Sequence, residues 1–235
     1  MVTNTSQERF RTDQGVFDEL TKRNLFVLQS KGVFDELVGP LKVGKESNVF
    51  IAKKEDKKLI VKIYRVQNCD FKRMYNYIKK DPRYDFLKNK RRQIIFCWTQ
   101  REFRNLKLAE KAKIDVPQPI AFRDNIIVEQ FIGDEEAAPT LKDAYPKNPQ
   151  TFLKAIVIQI KQLYEAGLIH GDLSSFNILN YHEKPCLIDF SQATLVRTPN
   201  SEELLMRDVK NVVHFFHKFK IKVDEMELYL EIIKK

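Results

Sequence analysis

Apolar residues change their spacing repeatedly along this chain, and each change marks a switch between helix and strand. From Gln14 to Leu37 they fall at helical intervals, Phe17 with Leu20, Leu25 with Leu28, Phe34 with Leu37. Thr21 is placed to cap a helix there and Gly32 to close it, while the polar first eight residues should fray. From Val38 the texture turns to short runs rich in β-branched residues, at 38–43, 48–53 and 58–64, separated by glycine or charged turns. A helix should follow over 70–80, then a basic stretch at 81–92 with no assigned element. A long helix over about 93–113 is stopped before Pro117, and strands follow at 120–123 and 125–131.

Beyond Gly133 the spacing is helical. Asn148-Pro149 opens a helix whose stripe is Phe152, Ile156, Ile160 and Leu163, and Gly167 ends it. A hairpin is expected at 181–184. Ser201 should cap a helix carrying Leu205, Val209, Val212 and Phe216, and a terminal helix should start near 223. A sheet-rich front joined near Gly133 to a helical back predicts a two-lobed α+β protein with a cleft between the lobes. The expected division is a helical preface at 1–37, a sheet lobe with an insert at 38–133, and a shorter helical lobe at 134–235.

A hydrophobic fraction of 43% with 11% aromatics is ample for a core and excludes wholesale disorder. The net charge of +9 suits a phosphate-rich partner such as RNA or a nucleoprotein particle, although interleaved acids make a solvated lysine-rich surface an equal reading. Cys69, Cys97 and Cys186 are too scattered for a disulfide framework or a cysteine zinc site and fit a reducing compartment. No apolar run approaches the roughly 18 residues of a membrane span, so a soluble, cytoplasmic protein is expected.

The chemistry concentrates in one loop. His170, Asp172 and Asn177 precede a short apolar run that ends at Asp189. This H-x-D-x-x-x-x-N…D order is what phosphoryl transfer needs: one carboxylate to orient a hydroxyl, and two oxygen ligands for a divalent metal. Asp172 would orient the acceptor hydroxyl and take its proton, and Asn177 and Asp189 would hold Mg2+ or Mn2+ against phosphates. His170 reads as a structural hydrogen-bonding residue. Farther up the chain, Glu102 interrupts the apolar face of the long helix made by Ile95, Trp98, Leu106 and Ala109, and Lys62 interrupts the strand face of Ile60 and Tyr64. Singly, these read as a helix-edge acid and a snorkelling lysine. Together they explain one another as an ion pair facing the cleft. Gly44 and Ser47, between the first two strands, offer amides and a hydroxyl to phosphate, though two glycines on a hairpin are commonly only a turn.

These motifs resemble the protein-kinase superfamily and, in detail, the type-one branch of the RIO family of atypical serine kinases. The matching pieces are Gly44-Lys45-Glu46-Ser47-Asn48-Val49-Phe50, Lys62, Trp98 through Arg101-Glu102-Phe103-Arg104-Asn105-Leu106, and Phe131-Ile132-Gly133. They continue with His170-Gly171-Asp172-Leu173-Ser174, Ile188-Asp189-Phe190-Ser191-Gln192, and Arg207-Asp208-Val209 with Asn211-Val212.

The resemblance implies a two-lobed protein-kinase-like fold, with an antiparallel-sheet N-lobe and a mainly helical, truncated C-lobe. It implies ATP held by Lys45, Ser47, Lys62 and Glu102, with adenine received through backbone groups of Glu129, Gln130 and Ile132. It further implies a flexible insert between Lys62 and Glu102, autophosphorylation, ATPase turnover with transient phosphorylation of Asp189, and work on the maturing small ribosomal subunit as a monomer or weak dimer. Departures from ordinary kinases are Gly171 where an arginine is usual, Ser174 where a cation is usual, and the absence of D-F-G and A-P-E. Slow turnover without broad peptide-kinase activity is therefore expected. Within the RIO family, Glu129-Gln130 stands where methionine followed by glutamate is common. Two other readings share the motifs: a nucleotide-binding scaffold on pre-ribosomal RNA, and a small-molecule phosphotransferase with a larger helical substrate region.

Overall fold

The structure, a computed structural model, describes residues 17–67 and 69–234. The expected fraying of the first eight residues and the start of the helical preface at Gln14 lie outside the described residues.

Helix α1 (Glu19–Ser30) begins one turn's cap earlier than the sequence suggests. Asp18, not Thr21, is the N-cap, and its carboxylate accepts from the Thr21 amide at 2.8 Å. An ionised acid there satisfies an orphan amide and meets the positive end of the helix. Thr21 is instead buried, with its hydroxyl accepting from Asn125 Nδ2 at 2.8 Å. The helix closes at Gly32, where the Val33 amide donates to Leu28 O and the Gly32 amide to Gln29 O.

Strands β1 (Glu36–Val43), β2 (Ser47–Lys54), β3 (Lys57–Tyr64), β4 (Pro119–Arg123) and β5 (Ile126–Gln130) form an antiparallel sheet in the order β1-β2-β3-β5-β4. Strand alternation divides its residues cleanly. Phe50, Ala52, Val61, Ile63, Ile126 and Val128 pack with Leu25, Leu28 and Phe34 on one side. Ile60 and Lys62 therefore face the other way, toward the second lobe.

Between β3 and β4 run α2 (Phe71–Ile78), a 3-10 turn (Pro82–Tyr84) and α3 (Arg91–Lys111). The stretch with no assigned element is anchored rather than loose around Asp81, which is fully buried between Arg83 at 2.6 Å and Arg101 at 3.1 Å. Tyr84 and Leu87 join Met74, Ile78, Ile94 and Trp98 in a small core of their own. No periodicity announces such packing, because one ion-paired acid and two side chains of a short turn supply it.

The second lobe holds α4 (Pro149–Glu165), the short pair β6 (Leu168–Ile169) and β9 (Thr194–Leu195), the hairpin β7 (Ile178–Tyr181) and β8 (Lys184–Leu187), then α5 (Ser201–His217) and α6 (Glu225–Ile233). Its core joins Phe152, Ile156, Ile160, Val209, Val212 and Phe216, and takes Leu106 and Ala109 from α3. Ser201 is the first helical residue rather than the cap. Asn200 precedes it without a side-chain cap bond, and the Ser201 hydroxyl donates to Val196 O at 2.5 Å, tying the helix start to the preceding turn. Asp224 caps α6 through the amides of Met226 and Glu227. Among the described residues no helix is long and apolar enough to cross a membrane.

The chain passes between the lobes at Gly133, whose φ is +151°. A β-carbon there would run into the Glu136 carbonyl oxygen and sit 2.9 Å from Ala137 Cα and Ala138 N. Gly133→Ala is expected to lower unfolding free energy by about 3 kcal/mol, since both backbone strain and a backbone collision oppose it. Urea unfolding of the two proteins measures this, and a loss under about 0.5 kcal/mol would show that the crossing has room to relax.

Candidate active site

Three elements deliver charged groups to one point. Lys62 comes from the centre of β3, Glu102 from the middle of α3, and Asp189 from the residue pair after β8. The Lys62 ammonium lies 2.8 Å from Glu102 Oε1 and 3.0 Å from Asp189 Oδ1. Glu102 is buried and also accepts from the Tyr64 hydroxyl at 2.5 Å. One cation thus faces two carboxylates, and their protonation divides accordingly. Burial raises Glu102, opposed by Lys62. Asp189, part-buried at the cavity wall, falls to about 2: desolvation would raise it, but Lys62 and the Ser191 hydroxyl stabilise its charge. Lys62 is raised well above its ordinary value by Asp189 and Glu102 in spite of burial. The acid nearer the cavity is the one held firmly ionised.

The backbone around Asp189 is constrained. Asp189 takes φ +63°, a left-handed conformation in which aspartate is tolerated better than most residues. Helix α3 fixes the loop: Arg101 Nη1 donates to Ser191 O at 3.0 Å, and Asn105 Nδ2 donates to Phe190 O at 3.1 Å and Ala193 O at 2.7 Å. The helix that carries Glu102 therefore also holds the segment carrying Asp189.

The loop at 170–177 hangs from α5. Asp208 accepts from the amides of Gly171 at 2.7 Å and Leu173 at 2.8 Å, Asn211 donates to Leu173 O at 3.0 Å, and Arg207 donates to Gly171 O. Burial pushes Asp208 up to about 7 despite the two amides. Gly171 takes φ +75°, and a side chain there would press on the Gln192 carbonyl at 3.0 Å. This is the physical reason for glycine where an arginine is usual in ordinary kinases. His170 Nε2 donates to Ile188 O at 3.0 Å, and burial lowers its pKa to about 4, so the ring is neutral and structural.

Asp172 and Asn177 meet within this loop. Asn177 Nδ2 donates to the Asp172 carbonyl at 2.8 Å, and Gln192 Nε2 donates to Asp172 Oδ2 at 2.8 Å. Gln192 in turn accepts from Arg73 of α2 at 3.3 Å, so the insert reaches the loop. Burial and the nearby Asp189 charge raise the Asp172 pKa.

A cavity of about 520 Å3 opens between the lobes, within the size range that takes a small organic ligand. Leu41, Val49, Ile60, Ile132, Leu179 and Ile188 form an apolar part, while Ser47, Lys62, Asn177, Asp189 and Ser191 form a polar part. Glu129 and Gln130 also line it. Lys45 is exposed and outside the lining, Glu102 stands buried behind Lys62, and Asp172 is joined to the lining through Asn177. Among the described residues no cluster of three or more His, Cys, Asp or Glu could hold a metal alone. The ionised Asp189 and the Asn177 amide oxygen, whose nitrogen is committed to Asp172, suit a hard cation that takes its other ligands from phosphate and water.

Sequence reasoning gave no role to Gln192, Asp208, Ser191 or Tyr64. Asp208 carried a usable signal, since it interrupts the apolar stripe of Leu204, Leu205, Val209 and Val212 as Glu102 interrupts its own. Gln192 carried only its place in the Ile188–Gln192 match, which does not name its distant partner Asp172.

With this geometry established, comparison with known proteins places it. The RIO domain matches residues 48–228. The RIO-type serine/threonine-protein kinase Rio1 of Methanocaldococcus jannaschii is 40% identical over 230 residues, covering 97% of this chain and 79% of that protein. The protein of the same name from Haloferax volcanii is 37% identical over 224 residues, covering 94% and 77%. Among solved structures, the ADP/Mg2+-phosphoaspartate complex of Rio2 kinase from Chaetomium thermophilum matches with a TM-score of 0.70 at 23% identity, over 90% of this chain and 66% of that one. The expected two-lobed, kinase-like α+β fold is the fold of this structure.

Proposed function

The chain belongs to the RIO family of serine/threonine-protein kinases, and on that premise we propose that it transfers the γ-phosphoryl group of ATP, slowly, to a serine-type hydroxyl or to water. The observation that carries this reading is the Lys62 ammonium at 2.8 and 3.0 Å from Glu102 and Asp189, at the polar end of a cavity whose other part is apolar. A flat base fits the apolar part and a triphosphate the polar part, with Lys62 and Ser47 against the phosphates and backbone groups of residues 129–132 toward the base. Asp189 and Asn177 would hold Mg2+, which supplies charge neutralisation on the phosphate oxygens. Asp172 orients the acceptor hydroxyl and takes its proton.

Rio2 kinase is reported as a phosphoaspartate complex. The corresponding step here is attack of an Asp189 carboxylate oxygen on the γ-phosphorus. The bond to the ADP oxygen breaks, and water later hydrolyses the acyl phosphate to inorganic phosphate. The ionised state of Asp189 supports this role. The net charge of +9 supports a phosphate-rich client, for which the family resemblance points to the maturing small ribosomal subunit in the cytoplasm. In this reading, residues 38–133 with their insert form the nucleotide-side lobe and 134–235 the lobe of the acceptor, behind a preface at 1–37.

The test is incubation with γ-labelled ATP, in Mg2+ or in EDTA, with and without purified small ribosomal particles. Labelled phosphate and a hydroxylamine-labile label on the chain should appear in Mg2+ only, and particles should change the turnover rate. Phosphate release and protein label both at the protein-free blank, with and without particles, would defeat the reading.

A further inference from the structure

The side chain of Glu129, on the cavity wall, has no task in that reading. Glu129 pairs across the sheet with Ile60, while Ile127 pairs with Lys62, so Glu129 stands two positions from the lysine on the cavity face. Ile60, Phe131, Ile132 and Ile188 share the lining with it, and Glu102, Lys62 and Asp189 are the charged groups that act on its carboxyl. Among the described residues no hydrogen bond or ion pair reaches its carboxyl, and Lys62 is already committed to Glu102 and Asp189. Glu129 is half-buried on that wall, and its carboxyl, open to the cavity, has no donor from the protein itself. The space in front of it is the cavity, so a ligand seated there is placed to supply that partner.

We propose, resting on the nucleotide reading above, that the Glu129 side chain is a specificity-determining residue that accepts a hydrogen bond from the 6-amino group of adenine. Partial burial and the nearby Glu102 charge push its pKa up to about 8, which favours the neutral acid. A neutral carboxyl offers one acceptor and one donor. Adenine offers the reverse on either edge of its amine, an N–H beside a ring nitrogen. Methionine in its place would offer no donor and only a weak acceptor, so Glu129→Met removes the group that would read the amine.

The experiment is a cycle in side chain and ligand. Calorimetry in Mg2+ gives Kd for ATP and for purine riboside triphosphate, which lacks only the amine, with wild type, Glu129→Met and Glu129→Gln. Loss of a hydrogen bond from a site built to make it should cost wild type about tenfold in affinity. The preference should fall below about twofold in Glu129→Met, and Glu129→Gln, which retains an acceptor and a donor, should keep most of it. Equal binding of both nucleotides by wild type would overturn the proposal without any variant, as would a Glu129→Met protein that discriminates as well as wild type. Failure of wild type to bind either nucleotide is a separate result, and it overturns the nucleotide reading itself.

Discussion

Asp172→Asn is expected to reduce the rate of phosphoryl transfer about 10²- to 10⁴-fold, the range for removing a general base, while ATP affinity changes by less than about threefold. Asparagine keeps the shape and an oxygen that can accept from Gln192 Nε2, now at 2.8 Å, and the loop is held by backbone contacts to Asp208 and Asn211 that the change does not touch. What disappears is the carboxylate's capacity to take a proton. The measurement is single-turnover transfer at saturating ATP, with Kd determined in parallel. The pH profile adds an independent readout. Burial and the Asp189 charge raise Asp172 above its ordinary 3.8, and the base works only when unprotonated. Activity should therefore fall as pH drops through a value above 3.8, and that acid limb should be absent from the residual activity of the variant. A variant within about fivefold of wild type would remove Asp172 from the reaction and leave it a positioning group for Asn177.

How far the chain could be read ahead of its structure depended on whether a signal was local. β3 and α3 announced themselves by period, and within them Lys62 and Glu102 stood out because each broke an apolar face. Two misplaced charges predicted a meeting, and the structure brings them to 2.8 Å. Asp208 broke an apolar face in the same way and could have been found by the same reasoning. The cap of α1 is ambiguous in the sequence, because Asp18 and Thr21 both suit that role and only burial of Thr21 against Asn125 separates them. Gln192 and Arg73 were out of reach. Their link to Asp172 spans 20 and then 119 positions, and no spacing in the chain encodes it. The anchoring of the stretch around Asp81 was hidden for the same reason, since Arg101 lies on another element. A charge that breaks an apolar face announces that a partner must exist, whereas a tertiary contact between groups that break no such face leaves no pattern.

The largest stability effect should come from Lys62→Met, which is expected to lower unfolding free energy by about 3–5 kcal/mol near neutral pH and to abolish measurable nucleotide binding. Methionine fills the volume, so the loss is electrostatic. Glu102, with 1% of its side chain accessible, keeps only the Tyr64 hydroxyl as a partner and faces Asp189 with no cation between them. Asp189 is 38% accessible at the cavity, so its share is screened and the cost falls mainly on Glu102. The wild-type network has a definite pH window. Lys62 is raised above 10.5, so its contribution is complete below that value and is lost as pH climbs through the raised pKa. Asp189 is lowered from 3.8 to about 2, so its contribution is complete above 3.8 and is lost as pH falls toward 2. The difference between wild type and Lys62→Met should therefore be greatest at neutral pH and shrink toward acid, where Glu102 can be neutralised by a proton in place of the lysine. Urea unfolding at pH 7.5 and 4.5 reads both quantities. Adding Glu102→Met should then recover part of the lost stability while nucleotide binding stays absent, because it removes the stranded charge without restoring the cation. A single variant that costs less than about 1 kcal/mol, or a double variant less stable than the single, would mean that Glu102 finds another partner and that Lys62 is held for the ligand alone.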